Sequence, residues 1–193
     1  MDRAARQAAY IRVAAETFRE MGLSASMQDV ADRAGVAKIL IYREFPSRKA
    51  LLEALFEEVL GEIREVWDEP WTGWGGGMIE LHRRAQQNRA GYLLLLRDSR
   101  SHPETVGWWD IYKARQVEPF ARFLTPSEGA PEGADVRARQ AALSLVGMLT
   151  EALISWIEDE DGLNEEQRRE WFGHMVREWR RITRKVYRLD PPE

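Results

Sequence analysis

Cysteine is absent from this 193-residue chain. Disulfides, thiolate metal sites and cysteine nucleophiles are excluded together. Histidine is scarce: His82, His102 and His174 stand far apart, and no two have the spacing of a zinc pair. Long apolar runs are missing. The longest mostly apolar stretch, 141–157, is interrupted by Ser144, Thr150, Glu151 and Ser155. It falls short of the ~20 residues a bilayer span needs, so it reads as a buried helix and no membrane partner is expected. The opening MDRAARQAAY has no apolar core of a secretory signal, and a cytoplasmic location is expected. No segment alternates apolar and polar residues long enough to propose a strand. Catalytic arrangements are lacking too. No serine sits in a Gly-x-Ser-x-Gly elbow. The glycines at 73–77 follow no strand and precede no Gly-Lys-Ser/Thr, so they read as a linker and not a phosphate loop. Glu158 and Asp161 fall just before Gly162 and read as a solvated turn. Neither an enzyme nor a cofactor is expected.

Charge is present but unevenly spread. Residues 1–50 carry nine Lys/Arg against six Asp/Glu, while the whole chain has net charge −4. A basic head on an acidic body is what a chain needs if only the head meets phosphate.

The head also holds the most informative run, SMQDVADRAGVAKILIYREFPSRK at 26–49. It reads as a short helix, a tight glycine turn, a second short helix and a serine that starts a third. Two helices crossing over so short a turn need a small residue at the crossing, and Ala31 supplies it. The reversal needs φ > 0, where glycine costs least, and Gly35 supplies that. Val30, Val36 and Ile41 seal the space between, and Ser26 with Asp29 can form a capping box. Before this run, Ile11, Ala14, Ala15 and Phe18 recur at helical spacing up to Gly22; after it, Pro46 ends one helix and Ser47 starts the next. This is the layout of a helix-turn-helix.

With Phe18, Gly22, Ser26, 29–31, 34–36, Ile41, Tyr42, Phe45, Ser47 and Arg48, the head resembles the DNA-binding domain of TetR-family transcriptional regulators. The resemblance implies a helix-turn-helix domain over 1–49 and a larger all-α domain over 50–193, about nine helices in all, that binds an effector and dimerises. It implies a repressor acting on a palindromic double-stranded DNA operator and released by a small molecule. The chain departs from the family pattern after Val36. Where serine, a variable residue, glycine and threonine are usual, it has Ala37, Lys38, Ile39 and Leu40; Glu44 replaces the usual histidine or tyrosine. DNA contacts are expected from Ser26, Lys38, Ile39, Leu40, Tyr42, Arg43 and Arg48. The departures keep a second reading open, an all-α enzyme or ligand-sequestering protein with a vestigial head.

The remainder reads as helices near 47–69, 76–88, 90–98, 104–124, 134–160 and 164–188. Breaks are expected at 70–77 and 125–134. Phe172, Met175, Trp179, Ile182, Val186 and Leu189 are spaced 3, 4, 3, 4, 3, an a/d seam. Its neighbour 141–157, with Leu145 and Leu149, is apolar on nearly every side and must be covered all round. A homodimer through Leu145, Leu149, Phe172, Met175, Trp179, Ile182 and Val186 follows as the expectation. Eight tryptophans are many for this length. Trp71, Trp74, Tyr92, Trp108, Trp109 and Tyr112, with Arg97 or Asp110 as a polar anchor, are the candidate lining for a small apolar or aromatic effector. Core filling is the competing reading for each ring.

Overall fold

The computed structural model describes residues 2–70, 73–125, 129–158 and 162–189. Among them there are helices and no strands. The helices are α1 (Arg3–Met21), α2 (Met27–Ala34), α3 (Lys38–Glu44), α4 (Arg48–Asp68), α5 (Trp74–Gln87), α6 (Arg89–Leu96), α7 (Val106–Leu124), α8 (Ala134–Glu158) and α9 (Glu165–Val186), with a 3-10 turn at Asp98–Ser101. The all-α expectation and its helix order hold. The chain packs as two compact units, Met1–Asp68 with Arg84–Trp109, and Glu69–Arg83 with Asp110–Glu193.

In the first unit the starts and stops follow local chemistry. Asp2 caps α1 by accepting from the Ala5 amide at 2.8 Å, and Gly22 ends it at φ 87°. Ser26 and Asp29 form the capping box of α2. Ser47 accepts from the Ala50 amide at 3.0 Å at the start of α4. α6 is buried on every side, from Ala90 through Leu96. It lies against α1 and α4. Gly91 permits that approach to α4, because a Cβ there would stand 3.0 Å from Val59 Cγ2 and 2.6 Å from Asn88 Oδ1.

In the second unit, α8 buries Ala138, Ala141, Ala142, Leu145, Val146, Leu149, Leu153, Ile154, Trp156 and Ile157. The helix is long and apolar enough to cross a bilayer by composition, and here most of that surface is core. Trp156 meets Phe172 and Trp171 edge-on, at 6.1 and 6.3 Å between ring centroids. His82 bonds the Trp156 carbonyl at 3.0 Å. The expectation that 74–77 is linker is corrected: these residues form the first turn of α5. The reason is packing. A Cβ on Gly75 would sit 2.4 Å from the Arg169 carbonyl oxygen, so glycine there lets α5 lie against the backbone of α9.

One polar cluster stands out in the first unit. Glu58 and Glu62 lie one turn apart on α4 and, with Arg12, Arg84, Gln87 and Asn88, line a cavity of about 240 Å³. Asn88 Nδ2 donates to Glu62 Oε1 at 3.1 Å, and Arg84 reaches Glu65 at 2.8 Å. Burial pushes both Glu58 and Glu62 above the ordinary carboxylate range. The Glu62 charge adds to this at Glu58, where Arg12 opposes it; Asn88 and Tyr92 oppose it at Glu62. A raised pKa means the folded chain holds the proton more tightly than the unfolded one. The pair therefore costs stability at neutral pH, and the cost is relieved as pH falls toward the folded value. Glu58→Gln should raise the melting temperature at neutral pH, with the gain shrinking in mildly acidic buffer. Thermal melts at the two pH values check this; a variant that melts lower than wild type at neutral pH contradicts it.

Candidate nucleic-acid interface

α2 and α3 cross at side chains with no solvent exposure: Val30, Ala31 and Ile41 are each 0% exposed. Gly35 takes φ 65°, and in that left-handed turn the Gly35 and Val36 amides close on the Asp32 and Ala31 carbonyls at 3.2 and 3.1 Å. At the far end of α3 the Phe45 amide closes on the Ile41 carbonyl at 2.9 Å, and the Phe45 ring is buried.

The inner face of α3 includes a charge. Glu44 is 7% exposed. Its carboxylate accepts from Arg6 Nε at 2.8 Å, Arg3 Nε at 3.1 Å and Gln7 Nε2 at 3.4 Å, all on α1. The Arg6 bond, then the Arg3 bond, holds the Glu44 carboxyl below the ordinary range against the pull of burial. The acid in α3 thus points inward, to α1, and away from the exposed side of the helix. The signal was in the spacing: Glu44 is three residues from Ile41, on the core face, and Arg3 and Arg6 are three apart on α1.

The outer face carries Ile39, Tyr42 and Arg43, all exposed, with Lys38 and Leu40 half-buried at its edges. The Lys38 ammonium lies 5.6 Å from the centroid of the Tyr42 ring. Ser26 is exposed, but its hydroxyl is occupied in the capping box, donating to Asp29 at 2.7 Å and accepting from the Asp29 amide at 3.3 Å. Arg48 is bound within the unit. Its Nε donates to the Ala25 carbonyl at 2.9 Å, its two terminal nitrogens meet the Leu23 carbonyl and Glu104, and its guanidinium lies over Phe18. Arg48 ties the loop before α2 to the start of α4.

The residues expected around an effector fall in different places. Trp71 and the side chain of Trp74 lie outside the described residues. In the first unit, Tyr92 is fully buried beside Glu62. Trp108 packs on Phe56 at 5.6 Å and borders a cavity of about 460 Å³ with Arg48, Leu52 and Glu104. Trp109 lies 4.0 Å under the Arg100 guanidinium, and Arg97 Nε reaches Asp98 at 3.3 Å. The two adjacent tryptophans therefore have different neighbours. In the second unit, the Tyr112 hydroxyl pairs with Thr150 Oγ1 at 2.8 Å.

The expected dimer residues divide also. Leu145, Leu149 and Phe172 are buried in the second unit, Met175 and Trp179 are half-buried, and Ile182 and Val186 are 51% and 67% exposed. The outward strip of α9 runs Trp171, Met175, Trp179, Ile182, Val186, so its first member is Trp171 at 47% exposed and not Phe172. A shift of one residue turns a helical position by about 100°, enough to move Phe172 from the surface into the core.

Residues 11–55 match the family model of bacterial regulatory proteins of the tetR family. The head is a TetR-family DNA-binding domain. No curated protein matches the chain. Among solved structures, it is similar to a TetR-like transcriptional regulator from Rhodococcus sp. RHA1, with TM-score 0.71 and 17% identity over 94% of this chain and 98% of that one. A TetR-family transcriptional regulator from Streptomyces coelicolor gives 0.64 and 16% over 96% and 85%. The fatty acid degradation regulator FadR from Bacillus halodurans gives 0.60 and 16% over 91% and 96%. At such identities the likeness is one of fold, and it runs nearly the full length of each chain.

Within this TetR head, the departures of α3 have two different weights. Ala37 stands at the N-cap in extended backbone and makes no side-chain cap bond, so α3 begins without the help a serine gives. Glu44 is compensated by Arg3 and Arg6. Its lowered pKa means that its contribution is present above the ordinary carboxylate range and is lost as pH falls through the folded value. Glu44→Gln should lower the melting temperature at neutral pH, and the two proteins should converge on acidification. A difference that stays constant across that range would reject the ion-pair account.

Proposed function

We propose that the chain is a homodimeric, effector-responsive transcriptional repressor that reads a two-fold operator with α3. The observation that carries this is the outer face of α3: an acid is drawn inward by Arg3 and Arg6, leaving Ile39, Tyr42 and Arg43 outward with Lys38 beside them. That orientation removes one of the grounds for a vestigial head. A helix with such a face fits the major groove, and a dimer would set two of them about 34–36 Å apart on successive grooves. Arg43 is assigned to a guanine edge, where a bidentate arginine gives about 1–3 kcal/mol of discrimination. Lys38 and Tyr42 are assigned to the groove wall and backbone. Arg48 serves the shape of the head, so its loss should weaken binding to every sequence alike.

The strip Trp171, Met175, Trp179, Ile182 and Val186, with Val136 and Leu143 exposed on α8, is assigned to the dimer contact. A row of large apolar side chains along one helix is the kind of surface that a partner covers. The effector is assigned to the helical body as a small apolar or aromatic molecule, on its aromatic content alone. To act, it must bind better to the form with lower operator affinity, and the operator then weakens its binding by the same factor. Such a protein works in the cytoplasm, and no catalysis is assigned to it.

Two measurements test this. In a gel shift with a duplex selected from a random library, Arg43→Ala should lose preference for that duplex over random DNA by about 1–3 kcal/mol; equal losses on both would reject the base-reading role. In sedimentation, the wild type should be a dimer at micromolar concentration. Ile182→Glu, at an exposed position, should be a monomer with the same helical content. A monomeric wild type would overturn the dimer.

A further inference from the structure

This inference rests on the DNA-reading head proposed above and names what one of its side chains reads. Ile39, Tyr42 and Arg43 stand at i, i+3 and i+4 on α3 and so share one side. Tyr42 and Arg43 are exposed and carry polar groups that suit an exposed position. Ile39 has nothing to offer water, yet it is 71% exposed, the highest value among the exposed large apolar side chains of the described residues. Two positions on, Ile41 is 0% exposed, so the helix does not lack a place to bury an isoleucine.

A lone exposed isoleucine elsewhere on a protein needs no explanation. On the face of a helix that enters the major groove it meets a surface with one apolar feature, the C5 methyl of thymine. The other groups that tell the bases apart there are hydrogen-bond donors and acceptors. Packed against guanine, cytosine or adenine, the Ile39 side chain would strip water from such a group and give no hydrogen bond back. Packed against a thymine methyl, it loses nothing. We propose that Ile39 is a thymine reader. Each operator half-site carries a T·A pair whose methyl packs on Ile39, close to the base that Arg43 reads, because the two side chains are one α-helical turn apart.

The test uses the full-length chain and a duplex selected from a random library. Each thymine of that duplex is replaced in turn by deoxyuridine, which removes the C5 methyl and keeps O4 and the base pair. One position per half-site should lose about fourfold in affinity, and both together about fifteenfold, the effect of one buried methyl at each. Ile39→Ala should show a comparable loss on the thymine duplex and be indifferent to uracil. Ile39→Val, which keeps a branched apolar side chain, should remain sensitive. Melting temperatures close to wild type for both variants are expected at so exposed a position. Wild-type affinity that no uracil changes would overturn the inference, as would an Ile39→Ala protein that keeps the full uracil penalty. If the wild type prefers no duplex over random DNA, the reading of the head falls as well. That failure is visible before any thymine is replaced, so the two are told apart.

Discussion

A helix of seven residues has too few internal hydrogen bonds to persist alone. α3 is that short, so everything it presents outward depends on what grips its inner face. Three side chains do so. Ile41 is wedged against Val30 and Ala31, Phe45 closes the end, and Glu44 is held by two arginines and a glutamine of α1. The first two contacts are apolar and set how deep the helix lies. The third is directional: a carboxylate with donors at 2.8 and 3.1 Å fixes the rotation of α3 about its own axis. Rotation decides which residues face outward, so the Glu44 cluster sets which face α3 presents without lying on that face.

The same logic extends one shell outward. Arg48 bonds the carbonyls of Leu23 and Ala25, in the loop that leads into α2, and also meets Glu104. Arg19 on α1 meets Asp98 at 2.6 Å. Both contacts join the helix-turn-helix to the segment after α6 within one compact unit. The head is therefore not a free bead. α1 and α4 pack on α6, whose seven consecutive buried residues leave it no solvent-facing side. A change that moved α6 would be felt by α1 and α4 through packing, with the ion pairs of Arg19 and Arg48 moving with it.

Much of this was legible in the sequence because caps and turns are local. Ser26 with Asp29, Gly35, Pro46 and Ser47 each mark an end by their own chemistry, and two short helices stand on either side of Gly35 as expected. What was not legible depends on partners distant in sequence. The glycines at 74–77 look like a linker until the Arg169 carbonyl is seen 2.4 Å from where a Gly75 Cβ would stand. Glu44 looks out of place on a DNA-facing helix until Arg3 and Arg6, about forty residues earlier, are seen beside it. Arg48 has the type and position of a phosphate contact, and only the structure reveals its three internal acceptors. The aromatic residues of the body gave the least: Trp108 and Trp109 are adjacent in sequence yet pack against Phe56 and Arg100 respectively.

Exposed apolar side chains in this chain call for two kinds of argument. Along α9 they come in a row, Trp171, Ile182 and Val186 with Met175 and Trp179 between them, and the row itself is the signal. Many contiguous apolar atoms left in water are unfavourable in proportion to their area, whatever covers them. Ile39 has no such neighbours. Its surroundings are Lys38, Tyr42 and Arg43, and by area alone it would mean nothing. Its meaning comes from the partner: a groove otherwise lined with donors and acceptors gives an apolar side chain very few places where it displaces no hydrogen bond. The row implies an interface by how much it exposes, the single residue by how little its partner has to match it.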